Sequence, residues 1–220
     1  MKLVHPNLIQ PLEWNRDSTI LWSIENPSAY LFFAQELLAQ SRGEDGEFVF
    51  SDNDAEIPFI KRIEIVDSPL RVSPNDKRIL TKLYLRLQKS WAEEYYLKSQ
   101  EIIDRLRNFL LEIEYATDAI LDFDDAIDVS GLFKMANLRI FTDESDLAGN
   151  ILLFLQNANE YLGIKVFVFF NLCSFLTMEQ IDELRKKAVE NSFSVLLIEN
   201  KCPTDYNGIK YIYDSDKCEI

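Results

Sequence analysis

The chain has 220 residues, with 23 basic and 37 acidic side chains and a formal net charge of −14. Hydrophobic residues make up 47 % and charged residues 27 %, which excludes global disorder and leaves enough apolar material for one or two domains with a sizeable core. The longest apolar stretches, such as Ala29 to Ala34 and Val166 to Phe170, fall far short of the roughly 20 residues of a membrane span. No partner membrane is expected, and at first sight the acidic total argues against nucleic acid.

The cysteines, Cys173, Cys202 and Cys218, are odd in number and widely spaced, with no Cys-x-x-Cys pair. They read as reduced thiols of a cytoplasmic protein. Met1-Lys2-Leu3-Val4-His5-Pro6 lacks the longer apolar stretch of a secretory signal. His5 is the one histidine, so a histidine-rich metal site is excluded, and a histidine-based catalytic site is not expected.

In chain order, Thr19 to Ile24 reads as a strand. Glu25-Asn26-Pro27-Ser28 reads as a loop with a proline suited to a first helical turn, and Ala29 to Gln40 as a helix. A short strand is expected at Glu47 to Ser51 and another at Pro58 to Val66. Ser73-Pro74 then opens a helical stretch. Leu80, Leu83, Leu87 and Trp91, and then Ile102, Leu106, Leu110 and Ile113, recur at helical spacing. Ser145 to Leu162 reads as a further helix ended by Gly163. Ile164 to Phe170 is almost wholly apolar, as in a strand buried on both faces of a parallel sheet. Thr177-Met178-Glu179-Gln180 is a capping box for a helix running to about Asn191. Strands follow at Ser194 to Ile198 and Ile209 to Tyr213. The expected fold is therefore α/β, with a discontinuous head over residues 1–72 and 163–220. An α-helical leg domain over residues 73–162 is inserted between its halves.

Strand, loop and helix over residues 19–40 have the order of a phosphate-binding unit without its chemistry. A P-loop needs GxxxxGK(S/T), whose glycines let backbone amides approach phosphate. Ile24-Glu25-Asn26-Pro27-Ser28-Ala29 has neither glycine nor lysine. Nucleotide hydrolysis is not expected, and no catalytic residue is assigned.

Residues 112–128 hold Glu112, Glu114, Asp118, Asp122, Asp124, Asp125 and Asp128 with no lysine or arginine among them. Like charges three or four residues apart on a helix repel, and a hard divalent cation removes the repulsion. Calcium suits such a set best, because it accepts several oxygens in loose geometry. The spacing is not that of an EF-hand, and a solvated acidic turn capped by Asp128 is the competing reading. Residues 61–107, in contrast, carry 11 basic and seven acidic side chains, net +4. Arg78, Lys82, Arg86 and Lys89 follow at steps of four, four and three, one helical stripe, and Lys134 and Arg139 stand beyond the acidic cluster. Such a stripe is either a solvated face or a track for a phosphate backbone. A chain with segregated charge can bind DNA despite an acidic total.

Over its whole length the sequence resembles the DNA-binding adaptation proteins of type II-A CRISPR systems, the Csn-two family. The resemblance lies in Leu121-Asp122-Phe123-Asp124-Asp125, followed by Leu132-Phe133-Lys134 and Leu138-Arg139-Ile140. It continues in Val166-Phe167-Val168-Phe169-Phe170-Asn171, followed by Leu176-Thr177 and Glu179, and in Val195 to Glu199. It implies a degenerate P-loop-NTPase-like head and a helical leg. It also implies a homotetrameric ring stabilised by calcium that takes double-stranded DNA by its ends through a lysine-lined hole. The implied setting is the bacterial cytoplasm, with no enzymatic activity of its own. There the ring acts in spacer acquisition alongside the CRISPR integrase proteins and the type II effector nuclease. The family's acidic segment resembles Asp122, Asp124 and Asp125 here, to which spacing adds Asp118 and Asp128 as calcium ligands. Its basic positions resemble Lys134 and Arg139, to which the stripe adds Lys82, Arg86 and Lys89 as DNA contacts. Two alternatives stay open: an acidic protein–protein adaptor with incidental DNA binding, and a metal-dependent nuclease.

Overall fold

The structure, a computed structural model, describes residues 1–14, 18–53, 55–117, 120–122, 124 and 129–214. It divides into two compact units, residues 1–74 with 142–220, and residues 75–141.

The first unit is built on a five-stranded parallel sheet. Its strands are β3 (Thr19–Ile24), β6 (Ile63–Val66), β7 (Val166–Phe170), β8 (Ser194–Glu199) and β9 (Ile209–Tyr213), in the order β6-β7-β8-β3-β9. Every residue of β3 and β7 is buried, as their largely apolar composition requires. The register sets Trp22 beside Ile198 and Phe167 beside Val195. On one face, α1 (Pro27–Ser41) places Phe33 and Leu37 against Trp22, Val168 and Leu196. The same core takes in a small antiparallel sheet of β1 (Lys2–Val4), β2 (Leu12–Glu13), β4 (Val49–Asp52) and β5 (Ala55–Glu56), which supplies Leu3, Leu12 and Phe50. On the other face α6 (Leu147–Asn157) sets Phe154 against Phe167, ring centroids 6.2 Å apart, and packs with α7 (Met178–Glu190).

Local signals place several ends as expected. Pro27 opens α1, with the Asn26 side chain accepting from the amides of Ser28 and Ala29. The Thr177–Gln180 capping box is formed at both of its hydrogen bonds. Gly163 ends the helical stretch in the left-handed region at φ 72°, after a single π-helical turn over Ala158–Leu162. Two expectations change. Residues 58–66 are not one strand: Phe59–Arg62 forms a helical turn, α2, closed by the Arg62 amide on the Pro58 carbonyl, and only Ile63–Val66 joins the sheet. The helix expected over 145–162 lies in the first unit and not in the helical insertion, because Ile151, Phe154 and Leu155 bury their side chains there.

The second unit is helical. It holds α3 (Lys77–Glu94), α4 (Tyr96–Tyr115) and α5 (Val129–Met135), with α3 in contact with both others. Its core is thin: among its described residues only Ile79, Ser99 and Val129 are buried. Leu97, Ile102, Phe109, Leu111, Ile113 and Tyr115 of α4 are all exposed. Among the described residues no helix is long and apolar enough to cross a membrane.

Candidate nucleic-acid and metal sites

The basic side chains singled out in the sequence lie in the second unit. Lys82, Arg86 and Lys89 project from α3, Lys134 from the last turn of α5, and Arg139 from the segment after it, all exposed. Some of the positive charge in this unit is internally matched. Arg78 closes on Asp76, which caps α3. Burial would raise the Asp76 carboxyl, but the hydrogen bonds and charge of Arg78 outweigh it and hold the group below its ordinary value. Lys89 lies 3.9 Å from Glu93 and Arg105 lies 2.7 Å from Glu101, pairs too exposed to count for much. Lys82, Lys134 and Arg139 have no ion pair among the described residues. Among the described residues no carboxylate competes with an external anion for these three cations.

One cation reaches a position that the stripe did not anticipate. Lys77 lines the same cavity as Lys134, in a wall formed by Leu80, Thr81, Tyr84 and Leu85. These α3 positions follow at helical spacing, one residue behind the Arg78–Lys82–Arg86 row. The cavity-facing row holds only one cation among apolar and hydroxyl side chains, so charge periodicity alone does not reveal it.

Of the expected calcium ligands, Asp122 and Asp124 are exposed, with carboxylates open to solvent. Asp118, Asp125 and Asp128 lie outside the described residues, as does the cap expected at Asp128. Two carboxylates offer at most about four of the six to eight oxygens calcium takes, so an ion there needs more of the acidic segment or a neighbouring chain.

The structure does assemble another potential ligand group, around the one histidine of the chain. His5 is buried, and its Nε2 lies 3.0 Å from Glu36 Oε2 and 3.9 Å from Glu47 Oε2. Its Nδ1 accepts the Asn7 amide at 3.0 Å. A neutral ring that accepts at Nδ1 carries its proton on Nε2, where it donates to Glu36 and has no lone pair for a metal. Glu36 also accepts the Glu47 amide through Oε1. The group therefore fits a hydrogen-bonded clamp, joining α1 to the segments that flank β1 and β4, better than a metal centre.

The carboxyl ends of the parallel strands are where an open α/β sheet binds ligands. Here they hold a structural knot. Glu199 ends β8, buried, and accepts the Cys173 amide at 2.9 Å. Burial pushes its carboxyl above the ordinary value, against the pull of its hydrogen bonds. Burial and the Glu199 charge together push the Cys173 thiol up, so it is a poor nucleophile. Burial and the same carboxylate raise the Tyr30 hydroxyl to about 12, and Asn171 donates to its oxygen at 2.9 Å. At the neighbouring α1 terminus the Asn26 side chain already occupies two of the amides that a phosphate would use.

The class so defined is an α/β protein with a parallel sheet and a helical unit spliced into it. The chain matches the model of the CRISPR-associated protein family (Cas_Csn2) over residues 40–217, across both units, and belongs to that family. Its role accordingly lies in CRISPR adaptation. No curated protein matches the chain.

Proposed function

We propose that the chain forms a homotetrameric ring that binds double-stranded DNA, entering from free ends and without reading sequence, during spacer acquisition. The observation that carries this reading is the gathering on the helical unit of three exposed cations, Lys82, Lys134 and Arg139, that have no ion pair among the described residues, in a chain whose total charge is −14. The helical unit has 10 basic and 12 acidic residues, net −2, so nearly all of the excess negative charge lies in the other unit. Contacts to phosphates suffice for such binding and leave sequence unread. Assembly is supported by the apolar side chains that α4 leaves exposed, which a second copy would cover. Calcium is assigned to Asp118, Asp122, Asp124, Asp125 and Asp128, where it would relieve the mutual repulsion of the acidic segment and its repulsion of DNA.

The chain is not an enzyme in this reading. The absence of a phosphate loop, the capped α1 terminus and the raised Cys173 thiol support that. The ring works in the bacterial cytoplasm with the CRISPR integrase proteins and the type II effector nuclease. Solution mass with and without a calcium chelator tests the assembly. Four chain masses with calcium, and fewer after chelation, are expected. A mass of one chain under both conditions would overturn it.

A further inference from the structure

The cavity between α3 and α5 has a volume of about 580 Å³, within the range of small-ligand sites. Its floor is apolar at Leu80 and Leu85, and Thr81 and Ser130 add hydroxyls. Among the described residues no carboxylate lines it, yet two ammonium groups do, Lys77 and Lys134, and neither has an ion pair there. A concave surface on which two ammonium groups face no carboxylate among the described residues favours an anion by charge.

The walls are held in place before any ligand arrives. The Tyr84 hydroxyl donates to the Leu138 carbonyl, tying α3 to the segment after α5. The Asn75 side chain donates to the Ile140 carbonyl at 3.0 Å and accepts the Ile140 amide at 2.8 Å. Phe133 of α5 sits against Tyr84 and Trp91, with centroids 5.7 and 6.0 Å away. Asn137, at φ 48°, turns the chain out of α5 at the rim. A preformed site avoids part of the ordering cost of binding.

From this geometry we infer that the cavity binds one nucleoside 5′-phosphate, its phosphate between Lys77 and Lys134 and its flat base against Leu80, Leu85 and the Tyr84 ring. Two ammonium groups on separate helices match a dianion with several oxygens better than a single carboxylate. The volume accommodates a sugar and base in addition. The choice of a nucleotide rests on the nucleic-acid reading above, but the pocket lies wholly within the helical unit and does not require a ring. The nucleotide could be free or could be the 5′-phosphorylated terminal residue of a DNA strand.

Isothermal titration of the full chain with thymidine 5′-monophosphate, thymidine and inorganic phosphate tests this. The monophosphate is expected to bind one per chain, and thymidine and phosphate each at least about ten-fold more weakly. Lys77→Met and Lys134→Met should each weaken it by about ten-fold, while Lys98→Met, on α4 and outside the cavity, leaves it unchanged. No binding of the monophosphate, or an equal loss from Lys98→Met, would overturn the proposal. Duplexes with and without 5′-phosphates identify the source. A preference for phosphorylated ends that the monophosphate competes away assigns the pocket to DNA termini. Equal binding assigns it to free nucleotide, and either result upholds the site. A tetramer that binds DNA but no mononucleotide sinks this inference alone. A chain that binds mononucleotide without assembling sinks the ring alone.

Discussion

The carboxylate of Glu199, at the end of β8, accepts the backbone amide of Cys173 at 2.9 Å and so anchors the loop that leaves β7. Burial raises its pKa above the ordinary value, so between the unfolded and folded values the native state binds this proton more fully than the unfolded chain does. The sign follows from linkage. Stability from this group is greatest below the unfolded pKa of about 4.3 and falls as pH rises toward the raised folded value. Glu199→Gln keeps a carbonyl acceptor and removes the titration. Urea midpoints measured across the acid range should decline with pH in the wild type by an increment that the variant lacks.

His5 lies among Phe32, Phe33 and Phe48, ring centroids 5.9, 5.3 and 4.5 Å away, with both ring nitrogens engaged by protein groups. His5→Ala leaves a cavity and strips a donor from Glu36, at a cost of about 2–4 kcal/mol in denaturant unfolding. Added zinc should leave the melting temperature of the wild type unchanged. A zinc-dependent rise would show that the clamp is a metal site after all.

Phe154 and Phe109 are predicted to differ although both sit on amphipathic helices. Phe154 is buried against Phe167, and Phe154→Ala should destabilise the first unit by about 3–5 kcal/mol. Phe109 is 56 % exposed on α4, so Phe109→Ser should leave unfolding within about 0.5 kcal/mol of wild type. The same variant should lower the solution mass at equal protein concentration, if α4 is a contact between copies.

Lys134→Glu and Arg139→Glu each remove one cation and add one anion in the helical unit. Duplex binding measured over a salt series should weaken in both. The slope of log affinity against log salt should flatten by about 0.9 for each phosphate no longer neutralised, with no change in sequence preference. Unaltered slopes would place the DNA on another surface.

Much of the first unit was legible because its signals are local. The apolar runs of β7 and β8, Pro27, Gly163 and the Thr177–Gln180 box each act within a few residues of where they stand. Of the small sheet only β4 was legible, as the strand expected at Glu47 to Ser51; β1, β2 and β5 were not, since strands of two or three residues show no period and are fixed by distant partners, such as Leu3 opposite Phe50. Periodicity identified α6 as an amphipathic helix but could not say which surface its stripe meets, hence its misplacement in the helical insertion. His5 read as inert because its partner Glu36 lies far along the chain. In the candidate site, the stripe from Arg78 to Lys89 was visible as charge. The cavity row beginning at Lys77 was not, because it depends on where α5 packs.

The central claim, that DNA is encircled from its ends, is tested most directly by comparing a linear duplex with a covalently closed circle of the same sequence, at equal salt and calcium. The linear form should bind and the circle should not. Equal affinity for the two would contradict encirclement.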